Sequence, residues 1–253
     1  MNFKLDSKQI ERFSRQIILK DIGTKGQEKI FNAKVLIIGM GGLGCTVAEF
    51  LTRVGVGRLG IVDYDKVELS NIHRQSLYNV EDLKKPKVII AKKKLIKINK
   101  KIKIDYYKTR LNKNNFTKII KKYDYIVDGS DNFETKFLTN DFSIKSKKIL
   151  ITASISKFNG HIFVFNFKNK KEPCLRCFFQ ESDISDDSLN CEYDGILGTV
   201  AGTIGTLQAN EVIKQILEIG KSLNGFILIS DLLNLNFRKV KLKKQKTCQC
   251  GYL

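Results

Sequence analysis

The sequence contains the stretch Val35-Leu36-Ile37-Ile38-Gly39-Met40-Gly41-Gly42-Leu43-Gly44, in which an apolar run passes directly into a glycine-rich segment. A helical stretch follows the glycines, and Asp63 ends the next apolar run nineteen residues later. This order is typical of a nucleotide-binding βαβ unit, because the glycines let backbone approach a phosphate and the helix start offers free N–H groups to anionic oxygen. The acid at the end of the second strand can then bind ribose hydroxyls.

Apolar runs and amphipathic stretches alternate through the first 153 residues. We predict strands at 34–39, 58–63, 103–107, 125–128 and 149–153, and helices at 43–53, 86–99, 113–121 and 133–145, after two short helices within 7–33. Such alternation predicts a parallel sheet.

The pattern changes from residue 160 onward. We predict strands at 161–165, 226–229 and 237–242, a helix at 198–218 and a mobile Ser/Asp-rich loop at 180–195. The late strands favour antiparallel pairing. The expected fold is therefore α/β, a Rossmann-like three-layer arrangement with a mixed, mainly parallel sheet, in a single domain over residues 1–253.

The net charge of +19 raises the question of nucleic-acid binding. Only eight of the 45 basic residues are arginines, and the lysines are scattered rather than interleaved with aromatic residues. Arginine is the better reader of phosphates and bases, so we expect a solvated surface that suits an acidic protein partner, with nucleic acid unlikely. The first six residues lack a signal-peptide core, and no run of about eighteen apolar residues occurs, so we expect a cytoplasmic protein with no membrane contact.

Three segments lie at the ends of predicted parallel strands, where α/β sheets bind their ligands. They are the glycine loop, residues 63–74 and residues 128–132. Asp63 is a ribose acceptor, Arg74 and Lys87 are cations for phosphates, and Asp131 is a carboxylate able to hold Mg²⁺. These groups suit triphosphate chemistry, in which cations neutralise the charge that moves to a departing pyrophosphate.

The ordered motif set resembles the E1-like superfamily, and within it the bacterial MoeB/ThiF group of sulfur-carrier adenylyltransferases, over essentially the whole chain. The matching motifs are Gly39-Met40-Gly41-Gly42-Leu43-Gly44, Asp63-Tyr64-Asp65, Ser70-Asn71-Ile72-His73-Arg74-Gln75, Pro86-Lys87 and Asp131-Asn132. The resemblance implies an enzyme in which the C-terminal Gly-Gly carboxylate of a small ubiquitin-like sulfur-carrier protein attacks the α-phosphate of ATP. The products are an acyl-adenylate and pyrophosphate.

The resemblance also implies residue roles. Asp63 would hold the ribose, Asn71, Arg74 and Lys87 the phosphates, and Asp131 the magnesium. Arg15 matches an arginine that reaches the triphosphate of the neighbouring subunit, which implies a homodimer. The remaining nucleotide-site positions implied by the motifs are Gly41, Gly42, Asp65, Ser70, Gln75 and Asn132. Lys136 lies where the group commonly has arginine, and we expect it to keep a nucleotide role with altered geometry.

Two close cysteine pairs predict a structural zinc site. Cys174 and Cys177 have the C-x-x-C spacing that lets two thiolates meet one zinc, whereas Cys248 and Cys250 are one residue closer than the family pair. Both can bind one metal only if the backbone turns between them. Four cysteines would clamp the C-terminal tail; the alternative is free or partly bound thiols.

Cys191 resembles the family's loop cysteine, which in some members accepts the activated carrier or handles persulfide sulfur. A dispensable exposed thiol is the alternative. With no rhodanese-like extension, we expect a separate sulfur donor. The adenylation motifs do not choose between the carriers of molybdopterin and thiamine biosynthesis.

Three other functions compete with this one. An NAD-dependent Rossmann oxidoreductase needs only the loop and Asp63, but leaves Arg74, Lys87 and Asp131 without a purpose. A related enzyme that adenylates a tRNA-linked carboxylate would suit the basic surface. A zinc-stabilised docking protein would bind an acidic partner without turnover.

Overall fold

The structure is a computed structural model of the 253-residue chain and describes residues 5–169, 172–179, 195–246 and 248. Its helices are Ser7–Ile17 (α1), Gly23–Asn32 (α2), Gly42–Val54 (α3), Lys87–Ile98 (α4), Lys113–Ile120 (α5), Phe133–Lys145 (α6), Leu175–Phe178 (α7) and Gly198–Leu217 (α8). Its strands are Lys34–Ile38 (β1), Arg58–Val62 (β2), Lys103–Tyr107 (β3), Tyr125–Asp128 (β4), Ile149–Ser156 (β5), Asn159–Asn166 (β6), Phe226–Asp231 (β7) and Asn236–Lys241 (β8).

Within the described residues, the eight strands form one sheet in the order β3-β2-β1-β4-β5-β6-β7-β8. In the part of the sheet ordered β3-β2-β1-β4-β5, all neighbouring strands are parallel. The pairs β5–β6, β6–β7 and β7–β8 are antiparallel. The predicted mixed, mainly parallel α/β fold is confirmed. The late strands β5 and β6 extend further than their apolar runs indicate, because the two strands pair with each other from Ile149 to Asn166.

Helices cover both faces of the sheet because side chains alternate along each strand. Val35 and Ile37 point to the core shared with α2, α3, α4 and α8, whereas Leu36 and Ile38 point to the core shared with α5, α6 and α7. The sheet and the helices on its two faces form the three layers, with one core on each face. No helix in the described ranges has the length and apolar composition needed to cross a bilayer.

The strand order reverses direction between β1 and β4, which makes their carboxyl ends the switch point of the sheet. Ile38 at the end of β1 pairs with Val62 of β2 on one side and with Asp128 of β4 on the other. The three strand ends are therefore level. The segments that follow these strands hold most of the predicted site residues, and they all begin on the side of the sheet where the parallel strands end.

Candidate functional site

The glycine loop runs from the end of β1 to the start of α3. Gly39 has φ of +85°, which an L side chain rarely adopts, and a Cβ on Gly44 would lie 1.8 Å from the carbonyl oxygen of Gly39. The loop therefore folds back onto its own helix only with glycine at both positions. At Gly41, the N-cap of α3, the nearest atom to an added Cβ is Gln75 Nε2 at 3.9 Å. This open space above the helix N-terminus can accept a phosphate.

Asp63, the residue directly after β2, holds that loop in place. Its Oδ2 accepts a 2.7 Å hydrogen bond from the Met40 N–H, and its Oδ1 accepts a 2.8 Å bond from the Asp65 N–H. Burial raises the pKa of the Asp63 carboxyl, and the Lys87 ammonium opposes that shift. Each carboxylate oxygen keeps acceptor capacity for a ribose hydroxyl, so the predicted ribose role stays compatible with this geometry.

Lys87 is the first residue of α4, directly after Pro86. Its ammonium lies 3.1 Å from Asp65 Oδ2, and its backbone N–H donates to the Asp65 carbonyl at 3.0 Å. The side chain is only 7% exposed, whereas that of Asp65 is 46% exposed. The sequence places Lys87 in a lysine-rich helix, but unlike the exposed Lys93 it is buried beside the acids that follow β2.

The segment after Leu69 brings Arg74 to the start of α3. The Arg74 guanidinium donates to the Ser70 carbonyl at 2.8 Å and lies 2.7 Å from His73 Nε2. A Cβ on Gly42 would lie 3.6 Å from Arg74 Cγ, so the arginine stem lies against the first turn of α3. The positive charge therefore lies close to the loop.

Two neighbours of Arg74 are buried and play different parts. Asn71 accepts a 3.2 Å hydrogen bond from the Glu68 N–H, which commits its amide oxygen to closing the local turn. Gln75 is 3% exposed, and its Oε1 has no hydrogen-bond partner in the structure. An unpaired buried oxygen beside the glycine loop is a polar group that a ligand can satisfy.

The turn after β4 carries the predicted magnesium ligand. Asp131 is exposed, and one of its oxygens accepts a 3.1 Å hydrogen bond from Asn132. Asn132 is the N-cap of α6 and accepts from the Thr135 N–H at 2.9 Å. An exposed carboxylate with free acceptor capacity fits the preference of Mg²⁺ for one or two carboxylates plus water.

Tyr64 connects the β2 and β4 segments. The pKa of its hydroxyl is raised by partial burial, then by the charge of Asp65, with Asp131 acting in the same direction. Acids from both segments are thus within electrostatic range of one phenol. The glycine loop after β1 also contacts the turn after β4 directly, since a Cβ on Gly39 would lie 3.0 Å from the Gly129 carbonyl oxygen.

Lys136 and Asp128 form a buried ion pair. The ammonium lies 3.0 Å from Asp128 Oδ2 and donates to the Ala153 carbonyl at 2.7 Å, with 7% of the lysine side chain and none of the Asp128 side chain exposed. The nucleotide role expected of Lys136 is therefore replaced by an interior one. The sequence signal for Asp128, an acid ending an apolar strand, does not reveal that its side chain points inward.

Arg15 lies exposed on α1, away from the loop of its own chain. Phe13 packs against Gly55, which follows the far end of α3. A 13-residue helix is about 20 Å long, so α1 contacts α3 at the end opposite the glycine loop. The chain does not bring Arg15 to its own predicted site.

Three cysteines meet where α7 approaches the tail. Cys174 Sγ lies 3.9 Å from Cys177 Sγ and 3.7 Å from Cys248 Sγ. Hydrogen bonding, first with Cys174, lowers the pKa of the Cys177 thiol to about 4 against the opposing effect of burial. Zinc–sulfur bonds of ~2.3 Å in a tetrahedron separate the sulfurs by ~3.8 Å, so these thiols fit one zinc. Cys250 and Cys191 lie outside the described residues.

A cavity of about 610 Å³ lies at the opposite edge of the sheet, among the amino ends of β1, β4 and β5. Five lysines line it together with Glu28 and Asp124. Helices α2 and α6 end on this side, and cations near helix carboxyl ends stabilise the exposed carbonyl groups. None of the predicted site residues lines this cavity.

A family model described as the ThiF family matches residues 13–252. A Thermus thermophilus protein named sulfur carrier protein adenylyltransferase is 38% identical over 247 residues, covering 96% of this chain and 91% of that protein. The Xenopus laevis protein named adenylyltransferase and sulfurtransferase MOCS3 is 42% identical over 242 residues, covering 96% of this chain. A Dictyostelium discoideum protein of the same name is 42% identical over 251 residues. The chain spans 53% and 58% of the length of these two relatives.

Solved structures share the fold. Escherichia coli MccB with ATP superposes with a TM-score of 0.83 at 22% identity, covering 97% of this chain and 75% of that one. The protein PaaA superposes with a TM-score of 0.80 at 22% identity, covering 97% of this chain and 77% of that one.

Proposed function

The chain belongs to the ThiF family, and we propose that it uses ATP to adenylate the C-terminal Gly-Gly carboxylate of a small ubiquitin-like sulfur-carrier protein, releasing pyrophosphate. The observation that carries this proposal is the meeting of the glycine loop, the Asp65–Lys87 pair and the Asp131 turn at one edge of the sheet. The Thermus thermophilus relative, whose name states this activity, matches almost end to end.

The reaction needs no nucleophile from the enzyme. A carboxylate oxygen of the carrier attacks the α-phosphorus of ATP, and the bond from that phosphorus to the oxygen bridging to the β-phosphate breaks. Pyrophosphate leaves with the bond's electrons, and the carrier is left as a mixed anhydride with AMP. Negative charge moves toward the leaving group, so fixed cations and N–H groups stabilise the transition state.

The chain supplies such groups from three segments. The N–H groups at the start of α3 bind phosphate oxygens in the open space above Gly41. Arg74, against the first turn of α3, and Lys87 neutralise the phosphates. Asp63 accepts from the ribose hydroxyls while it holds the loop through Met40.

Asp131 holds the magnesium ion, which neutralises phosphate charge when bound. Its exposed carboxylate supports this role, and the Asn132 amide orients it from the neighbouring position. Ser70 and Asn71 shape the segment that carries Arg74, and Gln75 offers its unpaired Oε1 to the nucleotide or to the carrier tail.

The thiols of Cys174, Cys177 and Cys248, with Cys250 as fourth ligand, hold a structural zinc that ties the C-terminal tail to α7. Four thiolates leave no open position for substrate, so the metal serves stability rather than catalysis. The sulfur–sulfur distances support this assignment for the three described cysteines.

The protein works as a homodimer in which Arg15 completes the triphosphate site of the partner subunit. The exposure of Arg15 and its distance from the loop of its own chain support this arrangement. Sulfur comes from a separate donor, and Cys191 handles the activated carrier or its sulfur. The carrier belongs to molybdopterin or to thiamine biosynthesis.

Pyrophosphate exchange into ATP tests the proposal. We expect purified protein with Mg-ATP to catalyse exchange only when a carrier ending in Gly-Gly is present, and not when the same carrier lacks its last glycine. Exchange driven by tRNA instead would support the tRNA-linked alternative. Tight NADH binding without ATP binding would support an oxidoreductase.

A further inference from the structure

Asp128 ends β4 with its side chain fully buried. Its Oδ1 accepts from the Ser130 N–H at 3.0 Å and from the Ser130 hydroxyl at 2.5 Å. Its Oδ2 accepts from the Lys136 ammonium at 3.0 Å and from the Thr152 hydroxyl at 2.6 Å. A carboxylate has about four acceptor sites, so this carboxylate is saturated and has no capacity left for a metal or a nucleotide.

The four bonds tie together three parts of the chain. The two bonds to Ser130 fix the turn between β4 and α6, the Lys136 bond fixes the first turn of α6, and the Thr152 bond fixes β5. The backbone carbonyl of Asp128 also accepts from Gln208 of α8 at 2.8 Å. Asp131 lies between Ser130 and Lys136, so the backbone on both sides of it is anchored to the same carboxylate.

We propose that Asp128 and Lys136 are positioning residues that hold the Asp131 carboxylate where it binds the magnesium–nucleotide complex. This inference rests on the function proposed above and assigns a purpose to the buried Asp128–Lys136 pair beneath that turn. Buried charge pairs are expensive to form and add little stability compared with apolar packing. A saturated pair at the base of a ligand-bearing turn gains instead by fixing geometry, as groups that orient metal ligands do.

The test uses a variant that removes both charges and keeps the volume, Asp128→Asn with Lys136→Met. Direct calorimetric titration, without carrier, compares the binding of Mg-ATP with that of ATP in excess chelator. We expect Mg-ATP binding to weaken roughly 10- to 100-fold. Binding of metal-free ATP should stay within about twofold, because the loop, Arg74 and Lys87 are untouched.

A matched control removes another ion pair, between Arg58 of β2 and Asp105 of β3. Arg58 and Asp105 lie 2.7 Å apart with about a quarter of each side chain exposed. Arg58→Met with Asp105→Asn should lower the midpoint of thermal unfolding and leave the ratio of the two ATP affinities unchanged. A change in that ratio in the control would overturn the positioning role, because general destabilisation would then explain the effect.

Two gentler variants guard against misfolding. Ser130→Ala keeps both charges and removes one hydroxyl bond, so Mg-ATP binding should weaken by about three- to tenfold. Lys136→Arg should keep much of the Mg-ATP affinity that Lys136→Met loses, because arginine keeps the positive charge. In an Asp131→Ala background, none of these changes should alter the metal dependence further.

Wild-type metal dependence in both the double variant and Ser130→Ala would overturn the inference. So would an undiminished effect of these changes in the Asp131→Ala background. If the proposed function is wrong, the result is different: ATP binds with its full metal dependence, but no carrier supports pyrophosphate exchange.

Discussion

The N–H of Met40 lies 2.7 Å from the Asp63 carboxylate, so the acid that follows β2 holds the glycine loop that follows β1. The same acid is the one expected to face the ribose. Nucleotide affinity and loop geometry are therefore linked through a single side chain.

Gly44→Ala should deform that loop. The new Cβ would lie 1.8 Å from the Gly39 carbonyl oxygen, so the backbone must shift. We expect a loss of roughly 1–3 kcal/mol in the free energy of unfolding, together with loss of ATP binding. Gly202→Ala is the control, since its Cβ meets nothing within 4 Å and should stabilise α8 by about 0.5–1 kcal/mol. Unfolding in urea and calorimetric titration with ATP measure both effects, and normal ATP binding by Gly44→Ala would contradict this view of the loop.

Lys87→Met should lower the rate of carrier-dependent pyrophosphate exchange by roughly 10²-fold, because one fixed cation at the phosphates is lost. The methionine fills the buried space, and the half-exposed Asp65 can be solvated. Lys93→Met on the exposed side of the same helix should leave the rate unchanged. Equal rates for the two variants would remove Lys87 from the site.

Cys248→Ser should abolish zinc binding. Elemental analysis of the purified protein by mass spectrometry should find zinc in the wild type and little in the variant, since the sulfur atoms of Cys174, Cys177 and Cys248 all lie within 4.8 Å of one another. Cys45→Ala is the control, because Cys45 is buried behind the glycine loop and hydrogen-bonded to the Met40 carbonyl. Zinc retained at full occupancy by Cys248→Ser would exclude this ligand.

The free energy of unfolding should depend on His161 in mildly acidic solution. Burial lowers the pKa of this imidazole below its ordinary value of 6.5. Below that value the unfolded chain binds more protons than the folded protein, so stability falls as the pH drops from about 6.5 through the folded pKa and is flat above. His161→Gln should reduce this slope in urea unfolding measured across that range. An unchanged slope would mean that other groups dominate.

Much of the fold follows from periodicity. The βαβ unit, the helices over 113–145 and the antiparallel late strands are all visible in the alternation of apolar and polar residues. Their bounds shift by one to three residues where tertiary pairing decides, as in β5, which continues to Ser156 because β6 pairs along its full length. The described part of the C-x-x-C segment includes a short helix, Leu175–Phe178, where the spacing indicates only a turn.

The site is less predictable than the fold. Spacing places Asp63 and Asp131 just after strands, and topology then puts the ends of those strands level with each other. The family resemblance implies a nucleotide role for Lys136, but neither the resemblance nor the spacing reveals that its side chain is buried against Asp128. The roles of Cys191 and Cys250 stay predictions, since both residues lie outside the described ranges.

The intact mass of the carrier, measured after mixing with this protein and Mg-ATP, tests whether the proposed adenylation occurs. We expect a carrier species heavier by one adenylyl group (AMP less one water), formed at the C-terminal glycine, absent with Asp131→Ala and absent when the carrier's last glycine is removed. ATP consumed with no such adduct on any Gly-Gly-ended carrier, or an adduct that forms equally well with Asp131→Ala, would contradict it.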